Sequence, residues 1–262
     1  MHPEILRIGP TPIYSYGLTL VISFALGIVL ASKRARERGL VPEAVLDIAT
    51  VILLSSIIGS RLLYIVFHVS EFEGRWLDTI NIFKGLTGLS MFGGIALAIV
   101  AALLYMKVKR LPVWPMADVI APSYALGVGI TRLGCLLNGC CFGQPTGLPW
   151  GISFPPGCAA SSVVGDIHVH PTQLYESLAG FVILLVTLRI DRRRLPTGVL
   201  TCVVFGLYGA ARFVLDFFRL YEDNNFATVF GLRLASSQLF ALALVVVAAL
   251  GVMMLRRRPA SP

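Results

Sequence analysis

The chain has 262 residues, of which 56% are hydrophobic and only 14% charged, with a mean hydropathy of +0.80. Soluble domains average about 25% charged residues, so these values exclude an ordinary soluble enzyme, a disordered chain and a small disulfide-stapled domain. The net charge of +8 does not point to nucleic acid, because the basic residues lie where a membrane protein carries them.

A spanning helix needs about 20 apolar residues. Seven windows meet that need, at residues 14–32, 45–67, 88–106, 115–137, 172–188, 198–220 and 235–255. The first does not read as a cleavable signal peptide, since the stretch before it has no basic region and Lys33, Arg34, Arg36 and Arg38 follow it instead. The joints after spans three, five and seven carry Lys107, Lys109 and Arg110, then Arg189 and Arg192 to Arg194, then Arg256 to Arg258. On the other side lie only Arg7, Arg75, Lys84 and Arg233. The positive-inside rule then places the N-terminus outside and the C-terminus in the cytoplasm. The expected fold is an all-α integral membrane protein, a single seven-span domain over residues 1–262. The joint at 68–87, with Phe72, Trp76 and Phe83, suits an interfacial segment. The Gly- and Pro-rich stretch 138–171 reads as an extracytoplasmic cap between spans four and five.

Four arginines lie inside spans: Arg61, Arg132, Arg212 and Arg219. A centrally placed Arg costs about 2.5–3.5 kcal/mol on the translocon scale, so each needs a reason. In the assigned orientation they precede the outer ends of their spans by six, five, eight and one residues, which puts all four in the outer half of the membrane. Glu176 begins span five at that depth, and Asp216 lies between two of the arginines on span six. Arg219 is near enough to water to snorkel, and Arg212 with Asp216 forms an i,i+4 pair that can neutralise itself. Arg61 and Arg132 have no partner at helical spacing. Convergence from three helices favours an anion site inside the protein. At that depth the anion is a phospholipid phosphate, which the planar fork of Arg suits. Gly85, Gly88, Gly93 and Gly94 flank the start of span three, and Gly134, Gly139 and Gly143 follow Arg132. These glycines serve either close helix packing or backbone approach to a ligand.

Five segments in order then carry a family resemblance: Tyr16-Gly17-Leu18; Gly59-Ser60-Arg61 with Ser90-Met91-Phe92-Gly93-Gly94; Arg132 to Gly143, reading RLGCLLNGCCFG; His170 to Glu176, reading HPTQLYE; and Tyr208 to Arg219. On these the chain resembles the prolipoprotein diacylglyceryl transferases, seven-span enzymes of bacterial inner membranes. The resemblance implies transfer of the diacylglyceryl group of phosphatidylglycerol to the lipobox cysteine thiol of an exported prolipoprotein, with release of glycerol phosphate. It implies no cofactor and no metal. By the same resemblance Arg132 and Arg212 hold the phosphate, Asn138 orients the headgroup, Asp216 positions Arg212, Glu176 is a candidate general base and Gly143 lets the cap close. Tyr16, Arg61, Gly93, Gly94 and Arg219 complete the lipid-binding set. The chain departs from the family at Phe92, where a histidine precedes the two glycines. It departs also at Cys135, Cys140 and Asp216, which replace asparagine, glutamate and glutamate. Two other functions stay open: a lipid-binding protein without catalysis, and a transferase using the same donor on another acceptor. A solute transporter fits less well, since the in-span charges stop at the outer half.

The cysteines lie at 135, 140, 141, 158 and 202. Cys202 reads as a small core residue. Cys140, Cys141 and Cys158 share the outer cap with His168 and His170, where a disulfide from Cys158 to Cys140 or Cys141, a metal site and a reactive thiol are the competing readings. If a thiol forms a covalent intermediate, Cys140 is the candidate, because it stands at a family site position. His170 is read as positioning the start of span five.

Overall fold

In a computed structural model, residues 4–8, 11–69, 90–193, 195–221, 226–229 and 231–256 are described. Among them seven helices are long and apolar enough to cross a membrane: α1 (Ser15–Glu37), α2 (Pro42–Phe67), α3 (Met91–Val108), α4 (Val113–Asn138), α6 (Thr172–Asp191), α7 (Val199–Leu215) and α8 (Ser236–Arg256). The protein is a multi-pass membrane protein. Its large apolar side chains point outward, with Val21, Val29 and Leu178 among the most exposed, as a lipid solvent requires. Span two begins earlier than expected, where Pro42 sits at the first helical turn with Glu43 beside it. The interfacial reading of 68–87, and Gly85 and Gly88 with it, falls mostly on residues outside those described.

Two hairpins were not foreseen. β1 (Glu4–Ile8) pairs antiparallel with β2 (Thr11–Tyr14), and β3 (Phe226–Val229) with β4 (Leu232–Ala235). The chain packs as two compact units, Ser32–Met116 and the remainder.

The smaller unit is the pair α2 and α3. Gly59 and Gly93 face each other so closely that a Cβ on either would collide with the other's carbonyl oxygen, and a Cβ on Gly94 would lie 2.5 Å from the Ser60 hydroxyl. Here the span-three glycines serve helix packing. Ser90 N–H donates to the Ser60 carbonyl at 3.0 Å, and the Tyr105 hydroxyl to Asp47 Oδ2 at 2.6 Å.

The larger unit is held by small residues and by polar contacts between helices. A Cβ at Gly134 would strike Thr19 of α1, and one at Gly180 of α6 would lie 2.7 Å from the Gly129 nitrogen of α4. Ser177 donates to the Gly129 carbonyl at 2.7 Å. The first turn of α7 lacks a side-chain cap of its own and follows Gly198 in a left-handed conformation, φ 88°. Asp118 of α4 supplies the acceptor, taking bonds from Gly198 N–H (2.6 Å), Thr201 N–H (2.8 Å) and the Thr201 hydroxyl (2.6 Å). Ala121, Ala125, Ile183 and Val204 form the core between these helices.

The cap follows α4 and contains one short helix, α5 (Ala159–Val164). Phe154, Cys158, Ala160 and Val169 form its own small core, packed by Leu136 and Phe142. Its strand-like segment 142–146 lies between 168–170 and 218–220. Gly143 N–H donates to the His170 carbonyl (3.0 Å), Gln144 N–H to Phe218 (2.9 Å) and Thr146 N–H to His168 (2.9 Å). Gly143 has to be glycine there, since a Cβ would lie 2.6 Å from the carbonyl oxygens of both His170 and Phe218. That closes the cap over the outer ends of α6 and α7.

Candidate active site

The polar layer of the larger unit gathers on one carboxylate. Glu176, in the second turn of α6, is 4% exposed at its side chain. Arg132 of α4 places Nε 2.7 Å from Oε2, Arg212 of α7 places Nη1 2.8 Å from Oε1, and Arg219 places Nη1 3.3 Å from Oε1. The partner that Arg132 lacked at helical spacing therefore comes from another span. Arg219 does not snorkel: its side chain is 15% exposed and turns inward to Glu176, with its guanidinium 5.4 Å from the Tyr221 ring centroid. Glu176 Oε2 and Arg212 Nη1 are buried with ion contacts but without hydrogen-bond alignment.

The expected Arg212–Asp216 pair is present at 3.0 Å. Tyr221 completes it. Its hydroxyl accepts from Arg212 Nη2 (2.8 Å) and from the Ser237 hydroxyl (3.0 Å), and donates to Asp216 Oδ1 (2.8 Å). Burial raises the Tyr221 pKa above its ordinary value, which keeps the phenol a donor to that carboxylate. Asp216 is buried in a short 3-10 turn, Asp216–Phe218, that ends α7. Among the described residues, three guanidinium groups thus face two carboxylates, leaving one positive charge over in a buried layer. That surplus is what a monoanionic phosphodiester would neutralise. Beside it a narrow cleft runs between Val128, Gly180, Ile183, Ala211 and Leu215, with Glu176 and Arg212 at its polar end.

Glu176 was a candidate general base. Its two oxygens lie within 3.3 Å of three guanidinium groups, the placement of a counter-charge that spaces the arginines. Asn138 is the last residue of α4 and Cys140 lies two residues on, so both sit at the turn from helix to cap. Tyr16 is in the first turn of α1 and exposed. Arg61, Gly93 and Gly94 belong to the smaller unit, where the Arg61 guanidinium lies 5.9 Å from the Tyr64 ring.

The thiols are arranged differently from expectation. All five cysteines are free thiols, so no disulfide joins Cys158 to its neighbours. Cys158 Sγ donates to the Pro155 carbonyl at 3.1 Å and packs beneath Gly139. The residue that joins Cys140 and Cys141 is Cys135. The local fold explains it. Gly139 ends α4 with φ 71°, its N–H bonds to the Leu136 carbonyl, and the Cys140 N–H bonds back to the Cys135 carbonyl at 3.0 Å. This paired-bond helix ending folds the second residue after the helix over the residue five earlier. Cys141 adopts φ 62°, rare outside glycine and asparagine. The start of α6 clamps the turn: the Thr172 hydroxyl donates to the Cys141 carbonyl (2.9 Å) and Gln173 Nε2 to the Cys140 carbonyl (2.7 Å). Hydrogen bonds from Cys135 and Cys140, then the nearby Arg219 and Arg132 charges, hold the Cys141 thiol pKa well below the ordinary thiol range.

His170 Nδ1 lies 3.3 Å from the Tyr175 hydroxyl, and its ring packs 5.2 Å from that of Phe218. His168 Nδ1 meets the Gly151 carbonyl at 3.0 Å. Gln173 and Tyr221 were not foreseen. The position of Gln173 after Pro171-Thr172 at a helix start was a usable signal. A tyrosine at an interface reads as belt residue, so Tyr221 carried none.

A family model described as prolipoprotein diacylglyceryl transferase matches residues 3–254. A phosphatidylglycerol–prolipoprotein diacylglyceryl transferase from Clostridium tetani is 31% identical over 248 residues, which covers 94% of this chain and 95% of that protein. Those from Synechococcus elongatus and Geobacter sulfurreducens are each 33% identical, covering 82% and 84% of this chain and 75% and 82% of their own. With the match running through the arginine layer and the cap alike, the chain belongs to the prolipoprotein diacylglyceryl transferase family.

Proposed function

We propose that the protein transfers the diacylglyceryl group of phosphatidylglycerol to the cysteine thiol of an exported prolipoprotein, at the outer face of a bacterial inner membrane. The observation that carries this reading is the surplus positive charge of the layer formed by Arg132, Arg212 and Arg219 around Glu176 and Asp216. In the reaction a thiolate attacks the glyceryl methylene that bears the phosphate, the C–O bond breaks, and its electron pair leaves with glycerol phosphate. The phosphate thereby goes from one negative charge to two. Arg132 and Arg212 offset that second charge, and Tyr221 with Asp216 keeps Arg212 aimed. Asn138 orients the headgroup from the end of α4, and the cap closes on the site through Gly143.

A single preorganised donor of this kind contributes about 2.7–4 kcal/mol to the transition state. Arg132→Ala and Arg212→Ala are therefore each expected to lower glycerol phosphate release from phosphatidylglycerol micelles by about 100- to 1,000-fold. Full release by both variants would remove the phosphate assignment.

A further inference from the structure

The reaction needs a thiolate acceptor, yet both carboxylates of the described polar layer are bound to arginine. Beside that layer, one helical turn beyond Arg132, stand three thiols that the arginine chemistry does not use. The sulfurs of Cys135, Cys140 and Cys141 lie within 4.8 Å of one another. The helix ending at Gly139, the left-handed backbone at Cys141 and the Thr172 and Gln173 clamps all serve to hold this convergence. Zinc–sulfur bonds of about 2.3 Å put tetrahedral thiolate sulfurs about 3.8 Å apart, close to the 4.8 Å within which these thiols already lie.

We infer that Cys135, Cys140 and Cys141 form a three-thiolate site for a thiophilic divalent cation, zinc being the expected ion, whose fourth position takes the acceptor thiol. The inference rests on the transferase reading above. Three protein ligands with one open position is the arrangement of catalytic zinc. Among the described residues no histidine or carboxylate joins the three sulfurs, and the Cys158 thiol is turned to Pro155, which leaves the fourth place to an incoming ligand. A thiol that coordinates the metal is deprotonated outright. Its proton passes to water, its sulfur attacks the glyceryl methylene, and the neutral thioether formed leaves the metal as glycerol phosphate departs. No electron is exchanged with the metal.

The test uses the full chain in detergent, reduced and stripped of metal, titrated with Co²⁺ as the optical probe. The expected result is a thiolate-to-cobalt charge-transfer band that saturates at one Co²⁺ per chain and is displaced by Zn²⁺. The band should shift when a lipobox peptide with cysteine is added and stay unchanged with the serine peptide. C135S and C140S should lose it and C202S should keep it. A wild-type protein with no band at one equivalent, or a band that survives in C135S and C140S, overturns the site whatever the folding of the variants. A band that responds alike to the cysteine and serine peptides overturns the acceptor position. Zinc-loaded protein that shows the peptide response but leaves phosphatidylglycerol intact supports the site and refutes the transferase reading. Metal-free protein that turns lipid over at the zinc-loaded rate leaves the transferase reading standing and overturns this one.

Discussion

Glu176→Gln keeps the size of the side chain and removes the one charge that three arginines share. The contacts at stake are those to Arg132 (2.7 Å), Arg212 (2.8 Å) and Arg219 (3.3 Å), around a carboxylate 4% exposed. Removing one partner of a buried ion pair costs about 3–5 kcal/mol. The arginine side chains here are 14–19% exposed, so water relieves part of the repulsion and about 3 kcal/mol is the better figure. At about 2–4 °C per kcal/mol for a chain of this size, Tm falls by about 6–12 °C. The layer's surplus also rises from one positive charge to two, so an anionic lipid should restore more stability to the variant than to the wild type. Thermal unfolding in neutral micelles, with and without phosphatidylglycerol, reads both effects. The variant should lose Tm in neutral detergent, regain a larger share of it with lipid, and keep measurable transfer in lipid-rich micelles at low temperature. A Tm equal to wild type together with a 100- to 10,000-fold loss of transfer, about the contribution of a general base, would refute the counter-charge role and restore Glu176 as the base.

Gly143→Ala places a methyl group 2.6 Å from two backbone carbonyls, which cannot rotate away. An overpacking cost of about 1–3 kcal/mol should appear as faster proteolysis within the cap, and unchanged protection would show that the cap is not closed through this residue. Tyr221→Phe removes one acceptor from Arg212 and one donor to Asp216, both at 2.8 Å. The expected loss is about 1.5–3 kcal/mol, read as a transfer rate lowered by about 10- to 150-fold with the helices intact, and wild-type kinetics would take Tyr221 out of the site.

Much of the fold was legible because it rests on local sums. A stretch such as 235–255 is apolar over its whole length, and the basic joints mark its end. The hairpins were not legible. Thr11-Pro12-Ile13-Tyr14 is too short and too interrupted by proline to show alternation, and its pairing with Glu4–Ile8 is the only thing that makes it a strand. The arginine layer was legible because arginine in an apolar span is costly enough to demand a reason. The answer, Glu176, was visible as a charge at the right depth, but its joint contact with three arginines is a tertiary fact that no periodicity encodes. The thiols show the same limit from the other side. Cys158 shares the cap with Cys140 and Cys141 in sequence, while Cys135 belongs to the preceding helix. Yet Gly139 as a helix-ending residue puts positions 135 and 140 together, and that signal was present in the chain.

The most direct test of the transferase account is mass spectrometry of the purified protein incubated with phosphatidylglycerol and a lipobox peptide. The account predicts a peptide heavier by one diacylglyceryl group, with glycerol phosphate released in equal amount. An unmodified peptide and intact lipid, under conditions where the Clostridium tetani relative modifies the same peptide, would contradict it.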